Sequence, residues 1–107
     1  MEENKVVQAL AALAHPLRLR VFRALVVAGP DGATPGTLLE TIDVPATSLS
    51  FHLKELTSSG LVSQERVSRN LRYRAAFDQM EGLLSYLTEN CCAGEPCAVD
   101  AKASTCC

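Results

Sequence analysis

Residues 45–60 read PATSLSFHLKELTSSG, and the fold turns on them. Leu49, Leu53 and Leu56 recur at i, i+4 and i+7, which lines one face of a helix. Pro45 suits the first helical position and Gly60 suits the stop. At about 100° per residue, Thr47, Ser50, Phe51 and Lys54 point away from the leucines. Short hydroxyl side chains and a lysine suit a major groove, because they let the helix backbone approach base edges and phosphates. Taken alone, the same face is equally well explained as a solvated surface.

The neighbours tilt that balance. Upstream, Thr34 is placed to cap a helix with Pro35 at its first position, and Leu38, Leu39 and Ile42 face inward. Asp43-Val44-Pro45 then connects tightly into the leucine-striped helix. A short helix, a tight turn and a longer helix with a polar outer face form the helix-turn-helix pattern. Val44 stands where a Ser or Asp cap is expected, and Thr47 is the candidate to satisfy part of that helix start.

Downstream of Gly60 the apolar period changes to two. Residues 61–67 read as a strand, residues 68–70 as a turn in which Asn70 tolerates left-handed geometry, and Leu71, Tyr73 and Ala75 alternate with Arg72 and Arg74. The product is a β-hairpin with a basic tip and one basic face. Beside a helix-turn-helix it is a wing, placing Arg66, Arg69, Asn70 and Arg72 on phosphates or in a minor groove. An ordinary solvated hairpin is the plain alternative. Five basic residues and two acidic ones lie between residues 45 and 74, net +3 within a chain of formal net charge −2. Positive charge therefore gathers where the geometry puts DNA.

Ahead of this unit, Val6, Val7, Leu10 and Leu13 make a short amphipathic helix that ends before His15-Pro16. Pro16 opens a second helix, with Leu17, Val21, Phe22, Leu25 and Val26 as its buried stripe. Arg18, Arg20 and Arg23 lie off that stripe on a solvated face, with a phosphate contact from Arg18 as the alternative. A last helix spans residues 77–90, with Met80, Leu83, Leu84 and Leu87 on one face and Tyr86 beside it. The two terminal helices are more apolar than one small domain needs. Their stripes are expected to pair across a two-fold axis in a homodimer, unless both fold back on their own subunit.

The 107 residues suit one domain with a modest, mainly aliphatic core. Met-Glu-Glu-Asn-Lys carries no basic segment leading into an apolar run, and no run is long enough to span a bilayer. A cytoplasmic protein is expected, with no membrane partner. Residues 1–90 form the folded unit and residues 91–107 a tail. All five cysteines lie in that tail, at Cys91, Cys92, Cys97, Cys106 and Cys107. An odd count, clustered, in a reducing compartment reads as thiolate chemistry rather than a disulfide framework. Gly94 and Pro96 can turn the chain so that Cys97 returns toward Cys91 and Cys92. Arsenic(III), which takes three soft ligands, fits such a set. Zinc wants a fourth ligand, which Cys106 or Cys107 could supply. Exposed thiols open to oxidation, or a strained Cys91–Cys92 disulfide, are the remaining readings. His52 lies at the flank of the leucine stripe, where a phosphate hydrogen bond and a satisfied half-buried imidazole are both open. Two isolated histidines, without positioned carboxylates or a Gly-rich phosphate loop, do not make an enzyme.

Residues 12–25, ALAHPLRLRVFRAL, resemble the opening helices of the ArsR family of winged-helix repressors. Thr47-Ser48-Leu49-Ser50-Phe51-His52-Leu53-Lys54-Glu55-Leu56 and Ser59-Gly60-Leu61-Val62 resemble its recognition helix and first wing strand. Arg72-Tyr73-Arg74 is similar to its return strand. The resemblance covers residues 5–90. It implies a mainly α, homodimeric winged helix-turn-helix with a two-stranded β wing. It further implies a protein that represses transcription and releases operator DNA when a metal or metalloid binds. The resemblance places Ser48 and His52 among the DNA-binding residues. The founding branch carries a cysteine pair within the helix-turn-helix, whereas no Cys precedes residue 91 here. Leu87-Thr88-Glu89-Asn90-Cys91-Cys92, followed by Cys97, is instead similar to an arsenite-responsive branch with ligands at the end of the last helix. That branch implies arsenic(III), with antimony(III) alongside it, as inducer. Cys106 and Cys107 have no place in its pattern. A redox-sensing regulator and a thiol-rich protein that buffers metalloid are the alternative functions.

Overall fold

The computed structural model describes residues 1–94. Five α-helices and one β-hairpin follow in the order α1 (Glu3–Leu13), α2 (Pro16–Ala28), α3 (Pro35–Thr41), α4 (Ala46–Ser58), β1 (Val62–Val67), β2 (Asn70–Ala75) and α5 (Phe77–Leu87). A 3₁₀ turn, Gly29–Asp31, follows α2, and another, Cys91–Gly94, follows α5. This is the winged helix-turn-helix expected from the periodicities, with α3 and α4 as the helix-turn-helix and β1–β2 as the wing.

Local chemistry explains most boundaries. His15 caps α2 by accepting from the Leu17 N–H through Nδ1 at 3.2 Å, with Pro16 behind it at the first helical position. Thr34 caps α3 through Oγ1, which accepts from the Thr37 N–H at 3.3 Å. At α4 the expectation is corrected. Pro45 is the cap residue, one position outside the helix, and no side chain, Thr47 included, satisfies the first amides. The Asp43-Val44-Pro45 connection offers no side-chain acceptor at the cap itself.

Leu25, Leu49, Leu53, Leu56, Leu61 and Val21 form the fully buried centre, with α2 crossing α4 and the hairpin base closing the far side. Helix α1 keeps half of its expected stripe, with Val6 buried and Leu13 packed against the core. Val6, Ala9 and Ala12 face inward, whereas Val7 and Leu10 are 58% and 42% exposed. Small alanines let α1 lie close on α2 and α4, which larger side chains would hold off. Helix α5 divides its stripe: Leu83 is buried while Leu84 and Leu87 stay exposed. It also ends at Leu87, three residues early, where the Leu84 carbonyl accepts from both the N–H and the hydroxyl of Thr88.

The hairpin register pairs Val62 with Ala75 and Val67 with Asn70. Ser68, rather than Asn70, takes the left-handed conformation, at φ 60°. That is the sign a tight two-residue hairpin turn requires at its first central position. Only Val62 of β1 is buried, so the hairpin extends outward from its base. Ala33 adds a third, single-residue rung. Its N–H and carbonyl exchange hydrogen bonds with Tyr73, both at 2.8 Å. Gly32 makes this approach possible: it sits at φ 68°, and a Cβ there would collide with the Tyr73 carbonyl oxygen.

Candidate nucleic-acid interface

Helix α4 separates its residues cleanly. Leu49, Leu53 and Leu56 are at most 1% exposed and hold the helix to the core. Thr47, Ser50, Phe51 and Lys54 are exposed, and Ser48 is half-buried at the edge. The exposed set offers hydroxyl donors and acceptors, one cation and one apolar ring, a mixture suited to base edges and phosphates.

His52 does not share that face. It is 6% exposed, the one buried polar or charged side chain among the described residues. Its Nδ1 accepts from Arg18 Nε at 3.4 Å, and its ring lies 4.7 Å from that of His15. In the free chain the imidazole is therefore buried and hydrogen-bonded. Burial first, then the charges of His15 and Arg18, hold it below the ordinary histidine value of 6.5. Arg18 lies on the first turn of α2 and also stands 5.7 Å from the centroid of the Phe51 ring. Its side chain thus bridges α2 to the outer face of α4. Helical spacing offers a solvated face or a phosphate contact for it and not this bridge, because nothing local links it to a residue 34 positions on.

The wing divides its cations. Arg66, Arg69 and Asn70 are exposed at and beside the tip. Arg72 is half-buried, and its Nη1 donates to the Asp31 carbonyl at 2.9 Å. Arg74 Nε donates to the Pro30 carbonyl at 2.8 Å, and its Nη2 pairs with Glu65 at 2.8 Å, the one ion pair among the described residues. Arg72 and Arg74 therefore tether the hairpin to the 3₁₀ turn after α2. In the register Arg72 and Arg74 share one face with Glu65, while Arg66 shares the other with Leu71. The expected single basic face is thus two: an anchoring row and an outward set at the tip.

At the other end of the molecule, Cys91 is half-buried and Cys92 exposed, directly after α5. Asn90, Cys92 and Ala93 all have φ between 54° and 58°, so the chain turns sharply there. Both thiols suit a soft ion, and they are adjacent in the chain. Cys97, the third expected ligand, lies outside the described residues, as do Cys106 and Cys107. Among the described residues no three His, Cys, Asp or Glu side chains converge as a metal site. No helix of the described residues is long and apolar enough to cross a membrane.

Residues 13–65 match a protein family described as a helix-turn-helix domain. Solved structures with the same fold include an ArsR-like transcriptional regulator from Rhodococcus sp., 25% identical over 78% of this chain and 76% of that one, with a TM-score of 0.70. HlyU from Vibrio cholerae is 26% identical over 86% of this chain and 99% of its own, with a TM-score of 0.66. A homodimeric winged helix-turn-helix DNA-binding domain from Mycobacterium bovis, described as a possible ArsR-family transcriptional regulator, is 23% identical. It covers 81% of each chain with a TM-score of 0.65. No curated protein sequence matches significantly.

Proposed function

We propose that this chain, an ArsR-like winged helix with its helix-turn-helix domain at residues 13–65, is a transcriptional repressor. In this reading it binds operator DNA as a homodimer and is released by arsenite or antimonite. The observation that carries the DNA-binding part is α4: one face is locked into the core by leucines, and the other presents Thr47, Ser50, Phe51 and Lys54 to solvent. Arg66, Arg69 and Asn70 on the wing tip add phosphate contacts beyond the helix. The outward apolar side chains of α1 and α5 support pairing of two copies, as does the homodimeric Mycobacterium bovis domain.

The inducer reading rests on the thiols after α5. Cys91, Cys92 and Cys97 would replace the three hydroxyls of arsenous acid, each thiol giving up its proton to a departing water. Left-handed φ costs about 1–2 kcal/mol at residues other than Gly and Asn, so a ligand that remade the turn at Cys92 and Ala93 would relieve strain there. Cys91 follows the helix that pairs the two copies. Reshaping its end changes the separation of the two α4 helices, which DNA requires near 34–36 Å or a multiple. A 5–150-fold loss of operator affinity is an ordinary coupling of this kind, and DNA must weaken arsenite binding by the same factor.

The test is fluorescence anisotropy of a labelled operator, with arsenite added to the full chain under reducing conditions. Cys91→Ser, Cys92→Ser and Cys97→Ser keep operator binding and lose the response, while Cys106→Ser with Cys107→Ser stays responsive. Loss of response in the Cys106/Cys107 variant with a responsive Cys97→Ser would reassign the third ligand. Release that no cysteine variant alters would remove the metalloid switch and leave the DNA-binding reading standing.

A further inference from the structure

Phe51 is the anomaly on the outer face of α4. Its neighbours there, Thr47, Ser50 and Lys54, are polar, yet this large apolar ring is 52% exposed. The apolar side chains on the inner face of the same helix are not left in water. The ring is nevertheless held in place. The Arg18 guanidinium lies over it, 5.7 Å from the centroid, within the range of a cation–π contact. The His52 ring meets it at 5.7 Å and 62°, an edge-on arrangement. Arg18 is in turn fixed by its hydrogen bond to His52 Nδ1. Arg18 from α2 and the neighbouring His52 ring on α4 thus orient the ring, and about half of its surface is left to solvent.

A bare, oriented aromatic ring on a helix that enters a major groove has one apolar partner among the base edges, the C5 methyl of thymine. The donors and acceptors displayed there would be desolvated by a phenyl ring without compensation, and the C5–H of cytosine offers far less apolar surface than a methyl. We propose that Phe51 reads a thymine methyl in each operator half-site, and that Arg18 is the positioning residue that fixes the ring for it. The inference rests on the reading of α4 as the recognition helix and adds a base identity to it.

The experiment starts from duplexes selected out of a random pool by the full-length wild-type protein, in which thymine is the sole C5-methylated base. Each thymine is then replaced singly by deoxyuridine, which removes the methyl and keeps the base pair. At one position in each half-site, the wild-type protein should lose three- to fivefold in affinity, the effect of leaving one methyl group unburied. Phe51→Ala should bind more weakly overall and show no preference between thymine and deoxyuridine at that position. Arg18→Lys keeps the charge but loses the planar group that stacks, and should bring the preference part way to unity. A ring that served only as a lid over His52 would change thermal stability and leave methyl discrimination untouched. Selective, salt-dependent binding that is insensitive to every methyl removal would overturn the role of Phe51 alone, as would a preference that persists in Phe51→Ala. A protein that enriches no duplex would overturn this inference together with the reading of α4.

Discussion

The outward side of the α1–α5 pair exposes Val7, Leu10, Leu84 and Leu87 by 42–58%, whereas the outward side of α4 and the wing exposes Thr47, Ser50, Lys54, Arg66 and Arg69, with Phe51 and Val67 its apolar exceptions. Both surfaces lie on elements whose inner faces share one core. They differ in what could cover them. Aliphatic side chains gain only from another apolar surface, and a second copy of α1 and α5 supplies a matching one. Hydroxyls and unpaired cations gain from a polyanion with hydrogen-bonding edges. The inner faces determine how the chain folds, and the outer faces determine what the fold holds.

Neighbouring leucines on α5 give the sharpest way to break this comparison. Leu83→Asp buries a carboxylate without a partner in the subunit's own core and should cost several kcal/mol, much of the stability of a small domain. Circular dichroism should show a chain largely unfolded. Leu84→Asp, one residue on and half exposed, should leave the fold intact and abolish the dimer in sedimentation equilibrium. A dimer that survives Leu84→Asp would move the interface away from the outer side of α5.

Arginines of the wing offer a smaller contrast. Arg74→Ala removes the tether to Pro30 and the pair with Glu65, made by a half-buried arginine with an exposed carboxylate, and should cost about 1 kcal/mol of thermal stability. Arg69→Ala should leave melting unchanged and lower affinity on all duplexes. It should also flatten the dependence of log K on log salt by about one unit for each phosphate that the arginine neutralises. The opposite assignment of effects would mean that the anchoring and outward cations had been exchanged.

The smallest effect concerns pH. His52 binds a proton less readily in the folded chain than at its ordinary value of 6.5, so between the two values the unfolded chain holds more protons. Its contribution to stability is therefore constant above about pH 6.5 and is lost as the pH falls through the lower, folded value. Urea midpoints at pH 7.5 and 5.5 should differ in the wild type and differ less in His52→Gln, which keeps an acceptor but cannot be protonated. An identical difference in both proteins would assign the acid sensitivity elsewhere.

Those residues also mark how far the sequence could be read. The Thr34-Pro35 cap, the Leu49, Leu53 and Leu56 stripe and the period change after Gly60 are local signals, and each became the element it predicts. Local spacing does not say which of two adjacent apolar faces turns inward. Ala9 and Ala12 prevailed over Val7 and Leu10 because close packing on α2 and α4 favours small side chains, and Leu83 parted from Leu84 on one stripe. The Ala33–Tyr73 rung, the carbonyl anchors of Arg72 and Arg74 and the burial of His52 all join residues more than 30 positions apart. No periodicity within a helix or strand carries that information.

The claim on which the rest depends is that the outer face of α4 and the wing tip form the DNA-reading surface. Anisotropy titration of one selected operator with the wild type and with the combined Ser50→Ala, Lys54→Ala and Arg69→Ala variant tests it most directly. Removing a side chain that touches a base or phosphate typically costs about 1–3 kcal/mol, so the combined variant should bind at least a hundredfold more weakly while remaining a folded dimer. A folded, dimeric variant that binds the operator as tightly as the wild type would contradict the account.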